Sequence, residues 1–459
     1  MALAVGAAAA ADASGKSAAQ DGDGGLEYPP CLKGIACAEL GPKGPASREM
    51  VFFGGEFSRS YAMNETWLLR VADDGSDGGE NPWEMLTSTG EGPSKRWKSS
   101  LTTTGSSTES ARGNSILLLF GGSANDAMIE ADEDDDEAAG DLYDDLWKLQ
   151  IADEGATADW TRLGPTDDAQ SGETWPLARR AHSAVWLQHQ LVIMGGRGPD
   201  GQTLSDVWAY DVNAGSFTAL QEFPGEPRKG HTACVFLGAF LPAGAEWSSM
   251  WGAAKNMPSM IIFGGRKNSA EYLNDVWALA WNGKTSSKKQ TWLQLDAGGS
   301  SKNDSDDGSR IRPSKRNHHT AVMRENIMLI FGGRSSHASY TVHNDLWAFD
   351  VVSARWSEVQ PLAASHEKSA GRMEHCAVLL NNNRLMTIVA GQDGSSQRRN
   401  DAWTFNLETG VWNEVFESRC VAPVSRVVVI VSLVILFLGG LFVLHRWYTF
   451  QSAHGYSMI

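Results

Sequence analysis

The sequence is short of positive charge: 39 lysine and arginine residues stand against 55 aspartate and glutamate residues, which gives a net charge of −16 at pH 7. Nucleic-acid binding requires a basic surface that neutralises phosphates, so the composition argues against a nucleic-acid partner. Cysteine is also scarce, and the five cysteines form no metal-type cluster, so we predict neither a metal nor a cofactor. Cys31 and Cys37 could close a small disulfide loop, which their spacing alone does not prove.

Uncharged apolar runs of membrane-spanning length are missing from most of the chain, and the exception is residues 427–444. These 18 residues nearly cross a hydrocarbon core of roughly 30 Å, and Arg426 before them and Arg446 and Trp447 after them fit interface anchors. We therefore predict a transmembrane helix at 427–448, after a juxtamembrane linker at 418–426 and before a short tail at 449–459. Two orientations stay open, a tail-anchored protein facing the cytosol and a type I ectodomain.

The N-terminal segment has too little apolar surface to fold alone. It is rich in alanine, glycine, serine and aspartate, and we expect residues 1–35 to be disordered. Its first residues weakly resemble a signal peptide, although the apolar stretch is mostly alanine and lacks a basic flank.

Between these ends, one pattern recurs six times: an apolar run ends in a glycine pair, and a tryptophan follows. In four copies the tryptophan lies 12 residues after the last glycine. The intact glycine pairs are Gly54-Gly55, Gly121-Gly122, Gly195-Gly196, Gly264-Gly265 and Gly332-Gly333, and Ala390-Gly391 is a degraded copy. The tryptophans are Trp67, Trp147, Trp208, Trp277, Trp347 and Trp403. Self-similarity of this kind indicates a repeat architecture.

One repeat contains the signals of four β-strands. Residues 318–325 and 326–333 are two strands joined by a tight turn, and the second is continuously apolar. Residues 345–351 alternate in polarity, and residues 354–361 form a fourth strand. A four-stranded sheet cannot bury both faces alone, whereas several sheets packed radially can. Glycine pairs would then allow close backbone approach, and the tryptophans would fill the wedge between sheets.

A further element, Pro-x-x-Arg-x-x-His-Ser/Thr, completes the repeat; it stands as "PLARRAHS" at 176–183 and "PSKRNHHT" at 313–320. Together with the glycine pair and Asn/Asp-Asp-x-Trp, it resembles the kelch repeat. The resemblance implies an all-β fold, a six-bladed kelch β-propeller of four-stranded antiparallel blades over residues 36–417, with acidic insertions near 125–145 and 296–312. The first blade looks short by one inner strand, and residues 37–48 fit a weak outer strand.

Function in such a fold would lie in the loops at one mouth, where arginines recur. Three arginines follow glycine pairs, and four belong to Pro-x-x-Arg elements or their looser copies: Arg197, Arg266 and Arg334, and Arg179, Arg228, Arg316 and Arg372. Guanidinium groups grip carboxylates at two points, so these arginines predict a rim that binds a protein partner with an acidic segment. Alternatively, the Pro-x-x-Arg arginines hydrogen-bond neighbouring blades. The acidic insertion at 130–145 could compete for the rim.

The remaining polar signals point to structure. Four histidines, at 182, 231, 319 and 375, occupy equivalent positions, which favours structural hydrogen bonds over a metal site. We find no catalytic constellation and expect no enzyme. Asn303 is a glycosylation candidate if it faces a lumen. We predict a membrane-anchored scaffold or receptor that binds protein. The alternatives are an extracellular ectodomain that binds carbohydrate or cell surfaces, and an enzyme that uses the central channel.

Overall fold

A computed structural model describes residues 27–40, 49–58, 61–76, 81–104, 116–124, 141–151, 157–165, 174–238, 249–254, 256–281, 291–299, 311–335, 341–362, 369–418 and 420. The chain divides into two compact units, Met1–Arg419 and Cys420–Ile459, and all described strands belong to the first. The described part is all-β apart from a short 3-10 helix at Ser249–Ala254. None of its helices is long and apolar enough to cross a membrane. The predicted span at 427–448 lies outside the described residues.

The first sheet has eight strands in the order β1-β2-β5-β6-β10-β9-β8-β7. They are β1 (Ala36–Glu39), β2 (Glu49–Phe53), β5 (Thr66–Arg70), β6 (Trp83–Thr89), β7 (Ser100–Thr103), β8 (Ile116–Phe120), β9 (Leu146–Ile151) and β10 (Thr157–Gly164). A small hairpin, β3 (Glu56–Ser58) and β4 (Tyr61–Ala62), stands apart. β6 and β10 pair in parallel, and the other pairs are antiparallel, so two antiparallel four-stranded units meet at their outer edges.

Three four-stranded antiparallel sheets follow in chain order. They are β11 (Ser183–Leu187), β12 (Gln190–Arg197), β13 (Thr203–Asp211) and β14 (Ser216–Ala219); β15 (Thr232–Phe236), β16 (Ser259–Arg266), β17 (Tyr272–Ala280) and β18 (Thr291–Asp296); and β19 (Thr320–Arg324), β20 (Ile327–Phe331), β21 (Leu346–Asp350) and β22 (Arg355–Val359). The last sheet contains β23 (Arg372–Met373), β24 (Cys376–Leu380), β25 (Leu385–Asp393), β26 (Arg398–Asn406) and β27 (Val411–Phe416). The strand pattern read from residues 318–361 is thereby confirmed.

Apolar side chains pack between consecutive units rather than within one. Trp208 and Phe217 of the third unit share a cluster with Leu118 and Phe120 of the second. Five further clusters among the described residues likewise join neighbouring units, and one of them joins the last unit to the first. The innermost strands β1, β7, β11, β15, β19 and β24 contact one another in the same cyclic order. The sheets therefore form a closed, propeller-like ring, with the motif tryptophans in the wedges as predicted.

The glycine pairs have the geometry that the sequence predicts. Gly195 and Gly196 have left-handed φ angles of 61° and 99°. A Cβ on Gly195 would lie 2.7 Å from the carbonyl oxygen of Arg228, and one on Gly196 would lie 2.8 Å from that of Arg180. Real Cβ atoms do not come that close, so the pair allows β12 to approach two neighbouring backbones.

The first unit corrects a prediction, because its inner strand is present. β1 pairs antiparallel with β2, from Ala36 opposite Phe53 to Glu39 opposite Met50, so residues 37–39 belong to an inner strand rather than an outer one. Leu32 occupies the place of the motif arginine, since Gly391 N–H donates to its carbonyl as other glycine pairs do to motif arginines. Because neither an arginine nor a histidine precedes this strand at the motif positions, the strand has no kelch signature.

The N-terminal boundary also differs from the prediction. Residues 27–35 were expected to be disordered, yet Tyr28, Leu32 and Ile35 are buried in the cluster that joins the first and last units. Asn400 donates to the carbonyl of Pro29 at 2.9 Å. Residues 1–26 lie outside the described residues. These contacts explain the difference, because the apolar side chains of 27–35 are covered by distant parts of the chain.

The disulfide between Cys31 and Cys37 that the spacing left open does not form. Cys37 on β1 is bonded to Cys376 on β24, with Cα atoms 6.2 Å apart and 339 positions apart in sequence. The bond joins the innermost strands of the first and last units. Ring closure brings these two cysteines together, and sequence spacing could not reveal it.

Candidate functional site

The motif arginines are held inside their own units. Arg228 donates from both terminal nitrogens to the two carboxylate oxygens of Asp275, at 2.9 Å each, and also to the carbonyl of Gly264 at 3.0 Å. The indole of Trp277 donates to the same carboxylate at 2.8 Å. The same three-residue network occurs in Arg96–Asp145–Trp147, Arg179–Asp206–Trp208, Arg316–Asp345–Trp347 and Arg372–Asp401–Trp403.

These contacts place four of the predicted binding residues out of reach of a partner. Arg179, Arg228, Arg316 and Arg372 are each 0% exposed. Each of these arginines joins a glycine-pair carbonyl to the aspartate of the same unit. Its hydrogen-bond partners therefore lie in its own unit and not in a neighbouring blade. Burial alone would raise the pKa of Asp345, but hydrogen bonds and charge from Arg316 lower that pKa far below its ordinary value.

The three arginines after glycine pairs are buried as well. Arg197, Arg266 and Arg334 are 5%, 6% and 3% exposed, so the structure shows no open arginine rim. Each forms a backbone bridge with the residue that follows a motif arginine: Arg197 with Arg180, Arg266 with Lys229, and Arg334 with Asn317. These bridges lie where the innermost strands begin, next to the axis of the ring.

A ring of backbone hydrogen bonds surrounds this axis. Lys98 N–H donates to the carbonyl of Gly34, Ala181 to Lys98, and Gly230 to Ala181. His318, Glu374 and Gly34 complete the circle in the same way, with all six distances between 2.7 and 3.0 Å. All six residues have left-handed φ angles of 53–63°. We call Gly34, Lys98, Ala181, Gly230, His318 and Glu374 the axial ring.

Charged side chains gather around the axial ring. Glu374 lies 3.7 Å from Lys33 and also pairs with Lys98, and Glu56 lies 3.3 Å from Lys33 and 3.2 Å from Arg398. Cations beside this ring include Lys33, Lys98, Arg180, Arg197, Arg266, Arg334 and Arg398, and carboxylates beside it include Glu56 and Glu374. We call these cations the axial cations.

Three of the axial cations lie near the aromatic ring of Trp97. The amines of Lys98 and Lys33 lie 4.1 and 5.5 Å from its ring centroid, and the guanidinium of Arg180 lies at 5.3 Å. An aromatic face attracts cations and so partly offsets their mutual repulsion. Burial, followed by the charge of Arg197, lowers the pKa of Arg180 to about 10. Burial lowers that of Lys98 to about 8, against the opposing charge of Glu374.

The repeated histidines are structural, as the motif position predicts. Nε2 of His182 is hydrogen-bonded to the hydroxyl of Ser100 in the preceding unit at 2.8 Å. His231, His319 and His375 make the equivalent bonds to Ser183, Thr232 and Thr320. Burial and the nearby Arg179 lower the pKa of His182 to about 3, so its imidazole is neutral at pH 7. Within the described ranges, no group of three or more histidine, cysteine or acidic residues could hold a metal ion.

Sequence reasoning missed most of the axial residues. Trp97 and Arg180 directly follow motif arginines, and Lys98 and Glu374 lie two positions after them. Their identities vary from repeat to repeat, so they carry no repeated pattern. Only their register relative to the motif arginine could have identified them.

Asn303 and most of the acidic insertions lie outside the described residues, although Arg312 at the end of one insertion pairs with Asp296 at 2.9 Å.

Comparisons with known proteins agree with this architecture. The chain is 26% identical over 281 residues to Kelch domain-containing protein 3 of Homo sapiens, across 58% of this chain and 62% of that protein. It is 23% identical over 294 residues to an F-box/kelch-repeat protein of Arabidopsis thaliana, across 53% of this chain and 58% of the relative. The chain thus spans about 60% of the length of these relatives.

A solved structure, that of YjhT, has the same fold with a TM-score of 0.53 and 12% identity, and the match covers 84% of this chain and 98% of YjhT. Kelch-repeat domains generally mediate protein–protein interactions. The KLHDC2/KLHL20/DRC7 Kelch-repeats domain matches residues 36–239 and 240–440. The chain therefore belongs to the family of proteins with this kelch-repeat domain.

Proposed function

We propose that this chain is a membrane-anchored, six-bladed kelch propeller that binds a protein partner with an acidic segment at the mouth around the axial ring. The blade count is supported by the circle of six backbone hydrogen bonds, to which each unit contributes one residue. The observation that carries the binding proposal is electrostatic: the axial cations outnumber the carboxylates described beside them, in a chain with net charge −16. Charge complementarity of this kind steers an acidic partner to one face.

The buried arginines act on such a partner through their field rather than by direct contact. Direct contacts would come from exposed loops at the same mouth, such as the loop after β16, where Lys267 is 41% exposed. Arg355 lies at the start of β22, near the opposite end of its sheet, and is exposed. These two positions provide a matched test of the docking face.

The test is site-specific photo-cross-linking in the full-length chain, with the cross-linking residue at position 267 or at position 355. We expect a discrete protein adduct from position 267 and none from position 355. The adduct should weaken with added salt, because screening at about 0.15 M reaches roughly 8 Å. Equal adducts from both positions, or an adduct that salt leaves unchanged, would contradict docking at the axial mouth.

The membrane anchor is the predicted span at 427–448. We place the propeller on the oxidising side of the membrane, because disulfides persist in secretory and extracellular compartments and Cys37 is bonded to Cys376. Protease protection on intact membranes tests this, together with a glycosidase mobility shift compared between the wild type and Asn303→Gln. A protected propeller that loses its glycan in the variant is expected. Digestion of the propeller without membrane permeabilisation would contradict this orientation and indicate that the propeller faces the cytosol.

A propeller on the oxidising side of the membrane also favours the second candidate function, an ectodomain that binds carbohydrate or cell surfaces. A glycan array with the full-length protein in detergent separates the two, since glycan binding that survives high salt would favour this candidate.

We propose no enzymatic activity for the channel. The supporting observation is that the four motif histidines are neutral and hydrogen-bonded between units. An activity that is lost in a His182→Gln/His319→Gln double variant which still folds would refute this.

A further inference from the structure

Arg180 differs in exposure from the residues at the equivalent position of the other units. One residue of each unit directly precedes its axial-ring residue in the sequence, and these six residues are Lys33, Trp97, Arg180, Lys229, Asn317 and Met373. Five of them are at most 8% exposed, whereas Arg180 is partly exposed. Solvent, and therefore a side chain of a partner, reaches this level of the propeller at Arg180.

The guanidinium of Arg180 is also without a hydrogen-bond or ion-pair partner in the part of the chain that the structure describes. Arg180 shares the ring of Trp97 with Lys33 and Lys98. Both lysines are paired with Glu374, at 3.7 and 2.5 Å. Of the three cations around this indole, Arg180 is therefore the one whose hydrogen-bond donors are available.

The charge of Arg180 is only partly compensated. Burial, followed by the charge of Arg197, lowers the pKa of Arg180, and the more distant charges of Glu374 and Glu56 do not reverse this. A guanidinium that has lost part of its hydration is well matched by a carboxylate, which accepts two parallel hydrogen bonds from it. The ring of Trp97, 5.3 Å from the guanidinium carbon, restricts the side chain before any ligand binds.

Arg180 lies at the same mouth as the exposed loop after β16. The backbone of Arg180 forms a bridge with Arg197, and Arg197 pairs with Thr203 across β12 and β13. The hydroxyl of Thr203 donates to the carbonyl of Lys267 in that loop at 2.6 Å. A segment that contacts Lys267 therefore meets Arg180 in the neighbouring unit.

We propose that Arg180 holds one side-chain carboxylate of the partner's acidic segment through a two-point guanidinium–carboxylate pair. This inference rests on the proposed function, because it assigns a direct contact at the same mouth. It adds a requirement that the field of the axial cations does not impose, namely a guanidinium fork at position 180 rather than any positive charge.

The first test measures whether Arg180 is available. The full-length chain in detergent is treated with phenylglyoxal, which reacts with free guanidinium groups, and the labelled arginines are located by mass spectrometry. We expect label on Arg180 and on the exposed Arg355, and none on Arg179, which is 0% exposed and paired with Asp206. The proposal is overturned if Arg180 is as unreactive as Arg179.

The second test uses fluorescent hexaglutamate and hexaglutamine peptides, with both ends blocked, in anisotropy titrations of the full-length chain. Hexaglutamate should bind the wild type and protect Arg180, but not Arg355, from phenylglyoxal. Arg180→Lys keeps the charge and loses the fork, so its affinity should fall at least about tenfold, the expected effect of losing one charged hydrogen bond. Arg355→Lys, on β22, is the matched control and should bind as the wild type does.

The outcomes separate this inference from the proposed function. If Arg180→Lys binds hexaglutamate as tightly as the wild type does, the inference is wrong and attraction by the field of the axial cations still stands. If the wild type binds hexaglutamate no better than hexaglutamine, the proposed function fails and the inference fails with it.

A structural role for Arg180 would give a different result. Because its guanidinium makes no hydrogen bond in the described structure, Arg180→Lys should unfold at the wild-type temperature in the absence of peptide. A clearly lower unfolding temperature would show that folding needs the guanidinium, and it would overturn the proposal.

Discussion

Removal of the Arg228 guanidinium is the sharpest test of what stabilises a blade. Arg228 is 0% exposed and makes five contacts: two hydrogen bonds to Asp275, two to backbone carbonyls of Gly264 and Glu226, and a cation–π contact at 4.7 Å with Phe223. Arg228→Met keeps much of the side-chain volume and removes the charge. Asp275 would then be a buried carboxylate without its cation.

Breaking a buried ion pair from one side costs about 3–5 kcal/mol, because the remaining charge is uncompensated. The matched control is Arg384→Met, since Arg384 pairs with Glu408 at 2.9 Å while both side chains are nearly half exposed, at 45% and 46%. Exposed pairs contribute about 0–1 kcal/mol. The two variants therefore differ by roughly 2–5 kcal/mol in the expected loss of unfolding free energy, as these ranges imply.

The assay is urea unfolding of the full-length chain, followed by tryptophan fluorescence. Arg228→Met should shift the midpoint much further than Arg384→Met. Adding Asp275→Leu to Arg228→Met should recover part of the loss, because no buried charge then remains. If the two single variants unfold at the same urea concentration, the arginine–aspartate–tryptophan network does not stabilise the blade and the reasoning fails.

Three other outcomes follow from the same contacts. Gly196→Ala, with a φ of 99° and a Cβ 2.8 Å from a backbone carbonyl, should lower the unfolding temperature far more than Gly215→Ala, whose Cβ meets nothing within 4 Å; equal shifts would remove the close-approach argument. Cys37→Ser should cost about 2–5 kcal/mol of unfolding free energy, since the lost bond closes a loop across 339 positions, and an unchanged urea midpoint would contradict that. In the folded chain the pKa of His182 is about 3, below its ordinary value of 6.5, so between these pH values only the unfolded chain binds that proton. The contribution of His182 to the unfolding free energy is therefore complete above pH 6.5 and should fall by up to about 1.4 kcal/mol per pH unit below pH 6.5. The unfolding free energy of His182→Gln should fall less steeply over the same pH range.

Much of the fold was predictable because its causes are local and repeated. An apolar run that ends in a glycine pair and leads to a tryptophan specifies a buried strand, a close backbone approach and an interblade wedge, and six copies specify repeated sheets. The structural role of the histidines followed from their constant position. The first inner strand could not be predicted, because Leu32 and Ile35 replace the arginine and histidine that mark four of the other inner strands.

The site was less predictable, because exposure and pairing depend on groups far apart in sequence. Sequence identified the arginines, but only the tertiary structure shows that Arg228 is enclosed with Asp275, 47 positions away. It also brings Lys98 to Glu374 and Cys37 to Cys376. The sequence by itself determined the repeat, its strands and its glycine and tryptophan positions, since these depend on spacing along the chain. Closure of the ring decided which charges meet at the axis, since that depends on where the first and last units join.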